Sequence, residues 1–183
     1  MKADTLFFER TAPFLKRWPY AFWTLIGLSC AAVATILYTR THSKVFIATC
    51  YPLVLGMIFT PLGVKFGYKI LLDWDFHLKN FVDRPHEQIL DWYREQLGVF
   101  QKIRGALCLG LVGAVIAPYA FAFGGAYVGL TSPFRFAAIL IIALAGFIAG
   151  VGVSHLFYFS RIVWRLGEHP VAVERHEFGI LST

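Results

Sequence analysis

Among the Asp, Glu, Lys, Arg and His residues of this chain, only His155 lies inside a long uncharged stretch. An embedded imidazole can face a cavity, ligate a metal or respond to pH. The plainer alternative is a histidine hydrogen-bonded near a membrane interface. No partner for a metal is spaced around it. His42, His77 and His86 stand apart, and His169 and His176 lie among Glu168, Glu174 and Glu177 without zinc-site spacing or an H-E-x-x-H pair. Two embedded histidines, which a haem held between facing spans would need, are missing. The three cysteines, Cys30, Cys50 and Cys108, fall in apolar surroundings and form no C-x-x-C pair. They read as buried thiols rather than a disulfide framework. No phosphate-binding loop, dinucleotide fingerprint or nucleophile elbow occurs. The expectation is a protein that is not an enzyme, with no catalytic residue, metal or cofactor.

Two further groups of charged residues could act. Asp73 and Asp75 follow the second apolar stretch, and copies arranged around an axis would place an acidic ring there to attract cations. Solvated charge on a stalk is the simpler account. Lys65, Lys69, Lys102 and Arg104 stand where anionic headgroups would lie and read as lipid anchors.

The elements that position these residues follow from composition. The chain has 183 residues, 57% hydrophobic and 15% charged, against about 25% charged in a soluble domain. Four stretches are long enough to cross a bilayer, which takes about 20 apolar residues in a helix. They lie between Arg17 and Arg40, between Lys44 and Lys65, across 105–134, and between Arg135 and Arg161. Backbone polar groups in lipid must be paired within the segment, so the stretches read as helices. Alternate segments carry 14 and 3 of the 17 Lys and Arg residues. The positive-inside rule then places both termini and the middle segment in the cytoplasm, for a protein of the bacterial inner (plasma) membrane. The net charge of +6 follows from that asymmetry and calls for no nucleic-acid partner.

Residues 65–104 carry 7 basic and 6 acidic side chains but are also amphipathic. Ile70, Trp74, Leu78 and Phe81 recur at helical spacing, as do Ile89, Tyr93, Leu97, Phe100 and Ile103. Pro85 sits between the two runs and marks a turn. The fold class expected is all-α: a polytopic membrane protein with four transmembrane helices, spans 2 and 3 extending into a cytoplasmic helical hairpin. The organisation is an interfacial segment (1–18), spans 1 and 2 (19–64), the hairpin (65–104), spans 3 and 4 (105–160) and a cytoplasmic tail (161–183). Residues 6–17 mix apolar and basic side chains and suit the inner leaflet surface.

Helices associate in lipid through small residues that let backbones approach. Ala106, Gly110, Ala114, Pro118, Ala122 and Ala126 recur every four residues in span 3. Ala138, Gly146, Gly150 and Ser154 keep the same step in span 4. Each series is a seam for intrachain packing or for a symmetry mate. Pro52, Pro61 and Pro118 are positions where a span could kink. The absence of an embedded charge argues against an ion-coupled transporter. The expected function is a homo-oligomeric channel or pore with a cytoplasmic sensing or assembly hairpin. The alternative is a small accessory subunit of a larger membrane complex. The expected partners are the bilayer and either copies of this chain or other membrane subunits.

Overall fold

A computed structural model of the protein describes residues 7–10, 19–41, 44–81, 87–100, 103–125, 127–128 and 130–168. Among them the structure is all-helical: α1 (Phe7–Arg10), α2 (Pro19–Thr41), α3 (Lys44–Phe81), α4 (Glu87–Phe100), α5 (Ile103–Phe123) and α6 (Ser132–Glu168). Four of these are long and apolar enough to cross a membrane, with windows Tyr20–Thr39, Tyr51–Trp74, Arg104–Phe123 and Ser132–Arg165. The turn at 82–85, Lys102 and the tail from His169 onward lie outside the described residues, as do His42 and Trp18.

The outward faces of the long helices are apolar. Leu25, Leu28 and Ile36 of α2, Leu55, Phe59 and Phe66 of α3, Leu111, Val115 and Ile116 of α5, and Leu140, Leu156 and Phe157 of α6 are all exposed. A surface of this kind on every side suits a bilayer rather than water. Thr24 and Thr35 donate to the carbonyls of Tyr20 and Ala31, so these hydroxyls are satisfied within their own helix.

Helix α6 is the organising element. It pairs with α5 along most of the length of α5, with α3 on another side, and with α4 near its C-terminal end. α2 packs along α3 and meets α6 over a short stretch only. Neighbour pairs fix the directions. Gly67 lies by Phe159 and Gly152 by Thr60, so α3 and α6 run parallel; Gly113 lies by Gly146 and Gly105 by Tyr158, so α5 and α6 run antiparallel.

α3 has 38 residues and α6 has 37. At 1.5 Å per residue each spans about 55 Å, well beyond the roughly 30 Å apolar core of a bilayer. α3 continues through Pro52 and Pro61 as one helix. α4 packs on the end of this pair. Its Tyr93, Gln96 and Leu97 are buried and its Asp91, Arg94 and Glu95 exposed, one stripe against one solvated face. The Tyr93 hydroxyl donates to the Leu71 carbonyl of α3, and the Arg165 guanidinium of α6 stands 5.7 Å from the Trp92 ring centre.

The apolar run across 105–134 is longer than the helix it contains. α5 stops at Phe123, because Gly125 takes φ of +74°, a left-handed conformation that glycine adopts without a side-chain clash. The amides of Gly124 and Gly125 still bond back to Ala120 and Ala122, and the Tyr127 hydroxyl donates to the Pro118 carbonyl at 3.2 Å. Pro133 then stands in the first turn of α6, where its missing N–H costs nothing.

Candidate functional site

The α5–α6 contact is a backbone-to-backbone approach. A methyl group placed on Gly113 would lie 2.2 Å from the Gly146 carbonyl oxygen, and one on Gly146 would lie 2.3 Å from the Gly113 carbonyl oxygen. One on Gly150 would lie 2.2 Å from the Leu109 carbonyl oxygen, and one on Gly110 would lie 2.8 Å from the Phe147 ring. Ala106 and Ser154 are buried. Ser154 lies close to Gly105, near the end of the same contact. Ala114 is half-buried and Ala122 is exposed. The described structure therefore brings Gly110, Gly146 and Gly150 together within one chain and leaves Ala122 on the outside.

The reason is angular. A helix turns about 100° per residue, so a strict four-residue step drifts about 40° each time, and Ala122 stands about 160° around from Ala106. The approaching line on α5 is Gly110, Gly113 and Ala117, at alternating steps of three and four. Gly113 was missed by the four-residue rule. A 3.5-residue repeat would have found it.

A second small-residue face belongs to α3. Gly56 and Gly63 are exposed, and a methyl group on either would meet open space. Gly63 and Gly67 form a small-xxx-small pair. Beside them runs a groove of about 620 Å³ between α3 and α6, bounded by Thr60, Gly63 and Gly67 on one side and Ala149, Gly152 and Leu156 on the other. Its lining is almost wholly apolar.

His155 lines this groove with 4% of its surface exposed. Its Nδ1 lies 2.8 Å from the Val151 carbonyl oxygen, which can only accept, so Nδ1–H is the donor. The imidazole is thus held to its own helix. No group of three His, Cys, Asp or Glu side chains that could hold a metal occurs among the described residues. Cys108 is exposed and Cys30 half-buried, both as free thiols.

The charged residues are dispersed. Asp73 is exposed near the end of the α3 apolar window, and the side chain of Asp75 lies outside the described residues. Lys65 places its Nζ 4.6 Å from the Tyr20 ring centre, tying α3 to the start of α2. Lys69 and Arg104 are exposed.

Of the expected interfacial segment 1–18, the structure describes residues 7–10. Phe7 and Phe8 are buried within the bundle, 3% and 0% exposed. Phe8 meets Trp23 edge-on at 5.3 Å and Phe7 stands 6.1 Å from Phe147. Trp23 donates its indole N–H to the Phe8 carbonyl at 3.1 Å, and the Tyr20 hydroxyl donates to Glu9 at 3.0 Å. Phe7 and Phe8 share one buried cluster with Trp23 of α2 and Ala145, Ile148 and Val151 of α6. The adjacent aromatic pair was the available signal, but pattern alone does not distinguish a membrane-surface segment from one folded inward.

Comparison of the chain with protein families, curated proteins and solved structures found no match.

Proposed function

We propose that this protein is a homo-oligomeric membrane channel or pore whose copies assemble through the open glycine face of α3 and the groove beside it. The observation that carries the reading is the division of small residues. Gly110 and Gly113 of α5 and Gly146 and Gly150 of α6 face each other within the chain, whereas Gly56 and Gly63 of α3 face outward. Small residues in lipid give close approach only when another helix covers them. In this reading both termini are cytoplasmic, as the distribution of basic residues supports. The exposed side of α4 then offers Asp91, Arg94 and Glu95 to a cytoplasmic signal. α4 rests on both α3 and α6, so a force on it reaches the two helices that border the assembly face.

The test is native mass after gentle detergent extraction, followed by conductance in planar bilayers. A single multiple of 20.6 kDa with discrete conductance steps is the expected result. Gly63→Leu, whose Cβ meets open space within the chain, reduces that mass to one chain. Stable monomers without conductance overturn the reading. The same open face would accept a helix of a different chain, and a mass containing other polypeptides would identify an accessory subunit of a larger complex instead.

A further inference from the structure

We propose that the groove between α3 and α6 holds one acyl chain of an anionic phospholipid, with the headgroup phosphate at its mouth beside Lys69 and Ser160. The groove runs from Thr60 to Ile70 on α3 and from Ala149 to Phe159 on α6. Such a stretch of helix rises about 15 Å, half of the roughly 30 Å apolar core of a bilayer. That is the depth of one leaflet's hydrocarbon, whereas a partner helix would have the whole core to cross. The volume of about 620 Å³ is that of a site for a bound small molecule, which takes about 300–1,000 Å³. Gly63, Gly67 and Gly152 put no side chain into the groove, so an acyl chain can lie against backbone. The exposed Phe66, Ile70, Val153 and Leu156 form its rims.

The end of the groove at Ile70 and Phe159 coincides with a level of positive charge. Gly67 lies by Phe159 in two parallel helices, so Lys69 and Arg161, two residues on from each, stand at one height. Arg104 precedes Gly105, which lies by Tyr158, and so joins the same level. Lys65 stands one turn earlier on α3, over the Tyr20 ring. Lys69, Arg104 and Arg161 are exposed, and among the described residues none of the three takes part in an ion pair. Asp73, also exposed, stands one turn beyond Lys69, farther from the groove, and the positive charge outweighs it. Basic residues at the end of an apolar groove between membrane helices are the combination that recognises an anionic lipid. Lys69 adjoins Ile70 of one rim, and the exposed Ser160 stands one turn past Leu156 of the other. A lysine lays its stem along apolar surface while its ammonium reaches the headgroup level. The serine hydroxyl can donate to the same phosphate.

His155 on the groove wall keeps its Nδ1–H on the Val151 carbonyl of its own helix, so the tail meets a lining that is almost wholly apolar. The site requires helices in a bilayer and does not rest on the channel reading. Where copies meet on the Gly56 and Gly63 face, the lipid lies along the same seam and becomes part of the interface.

The experiment is native mass spectrometry of the full chain in mild detergent, titrated with phosphatidylglycerol or with phosphatidylcholine. The expected result is one phosphatidylglycerol per chain, bound at least tenfold more tightly than phosphatidylcholine. Lys69→Gln removes that preference and Lys69→Arg restores it. Gly67→Leu fills the groove and lowers the binding of both lipids at least tenfold; its Cβ meets only the Phe159 ring, at an ordinary 3.8 Å. If that variant does not fold, the exposed Lys69 pair keeps the test decisive. Equal binding of the two lipids by the parent chain overturns the headgroup assignment, as does an unchanged preference in Lys69→Gln. Full binding of phosphatidylglycerol by folded Gly67→Leu overturns the groove as the place of the tail. The protein part of each mass reports assembly separately. One phosphatidylglycerol on a single 20.6 kDa chain keeps this site and removes the oligomer reading. A homo-oligomer that binds neither lipid keeps the oligomer and removes this site.

Discussion

Single atoms decide the α5–α6 contact. Where a methyl group would fall 2.2 Å from a carbonyl oxygen, neither backbone can yield without moving a whole helix. Gly113→Ala is therefore expected to destabilise the protein by about 1–3 kcal/mol, as overpacking of a close contact does. A lower thermal midpoint in detergent, measured on the purified protein, checks it. Gly98→Ala of α4 is the matched control: the methyl group meets open space, and a helical alanine is favoured over glycine by about 1 kcal/mol. Its midpoint stays or rises. Equal losses from the two substitutions would show that the backbone approach is not what holds the pair. His155 belongs to this scale as well. Its bond to Val151 is local to one helix, so histidine at that position does not by itself define a ligand site.

Helix α4 illustrates how an amphipathic element is fastened to a membrane bundle. Its buried stripe rests on Leu71 and on the last turns of α6, at the ends of the apolar windows of the two partner helices. The exposed Asp91, Arg94 and Glu95 of α4 call for water on its outer face, and with water as the competing solvent burial of Tyr93 and Leu97 is expected to contribute about 1.5–3 kcal/mol each, in a way that contacts within lipid do not. Tyr93→Phe keeps that burial and removes the hydroxyl bond to the Leu71 carbonyl. It is expected to cost about 0.5–1.5 kcal/mol. Tyr93→Ala also leaves a cavity and costs about 3–5 kcal/mol. Amide hydrogen exchange over residues 87–100 is the measurement: a modest loss of protection for the first variant, and full local opening for the second. Unchanged exchange in Tyr93→Ala would mean that α4 is held by something other than this stripe.

For the whole molecule the consequential quantity is orientation. α3 and α6 run parallel and α5 opposes them, so one bilayer side receives α4 and the other receives the α5–α6 turn. In the proposed topology, read from the charge asymmetry, α4 lies inside. In a chain with its three native cysteines replaced, Thr131→Cys should react in intact cells with a membrane-impermeant maleimide. Asp91→Cys should react only after the membrane is permeabilised. The reverse pattern would invert the topology and with it the cytoplasmic role proposed for α4.

The length and composition of the apolar runs determined on their own that the chain forms four helices able to span a membrane, because backbone in lipid has few other ways to pair its polar groups. The helical spacing of Tyr93 and Leu97 likewise marked an amphipathic segment before its partners were known. Other features needed the fold. A four-residue step names small residues but not the face they share after several turns, so Gly113 and the exposed position of Ala122 emerged only with the helix pair in place. The end of α5 at Gly125 depended on a backbone dihedral that an uninterrupted apolar run conceals. The inward turn of Phe7 and Phe8 was the least legible feature. Two adjacent aromatic rings satisfy a leaflet surface as well as a protein interior, and only the ring partners Trp23 and Phe147, which the fold brings to them, show their burial.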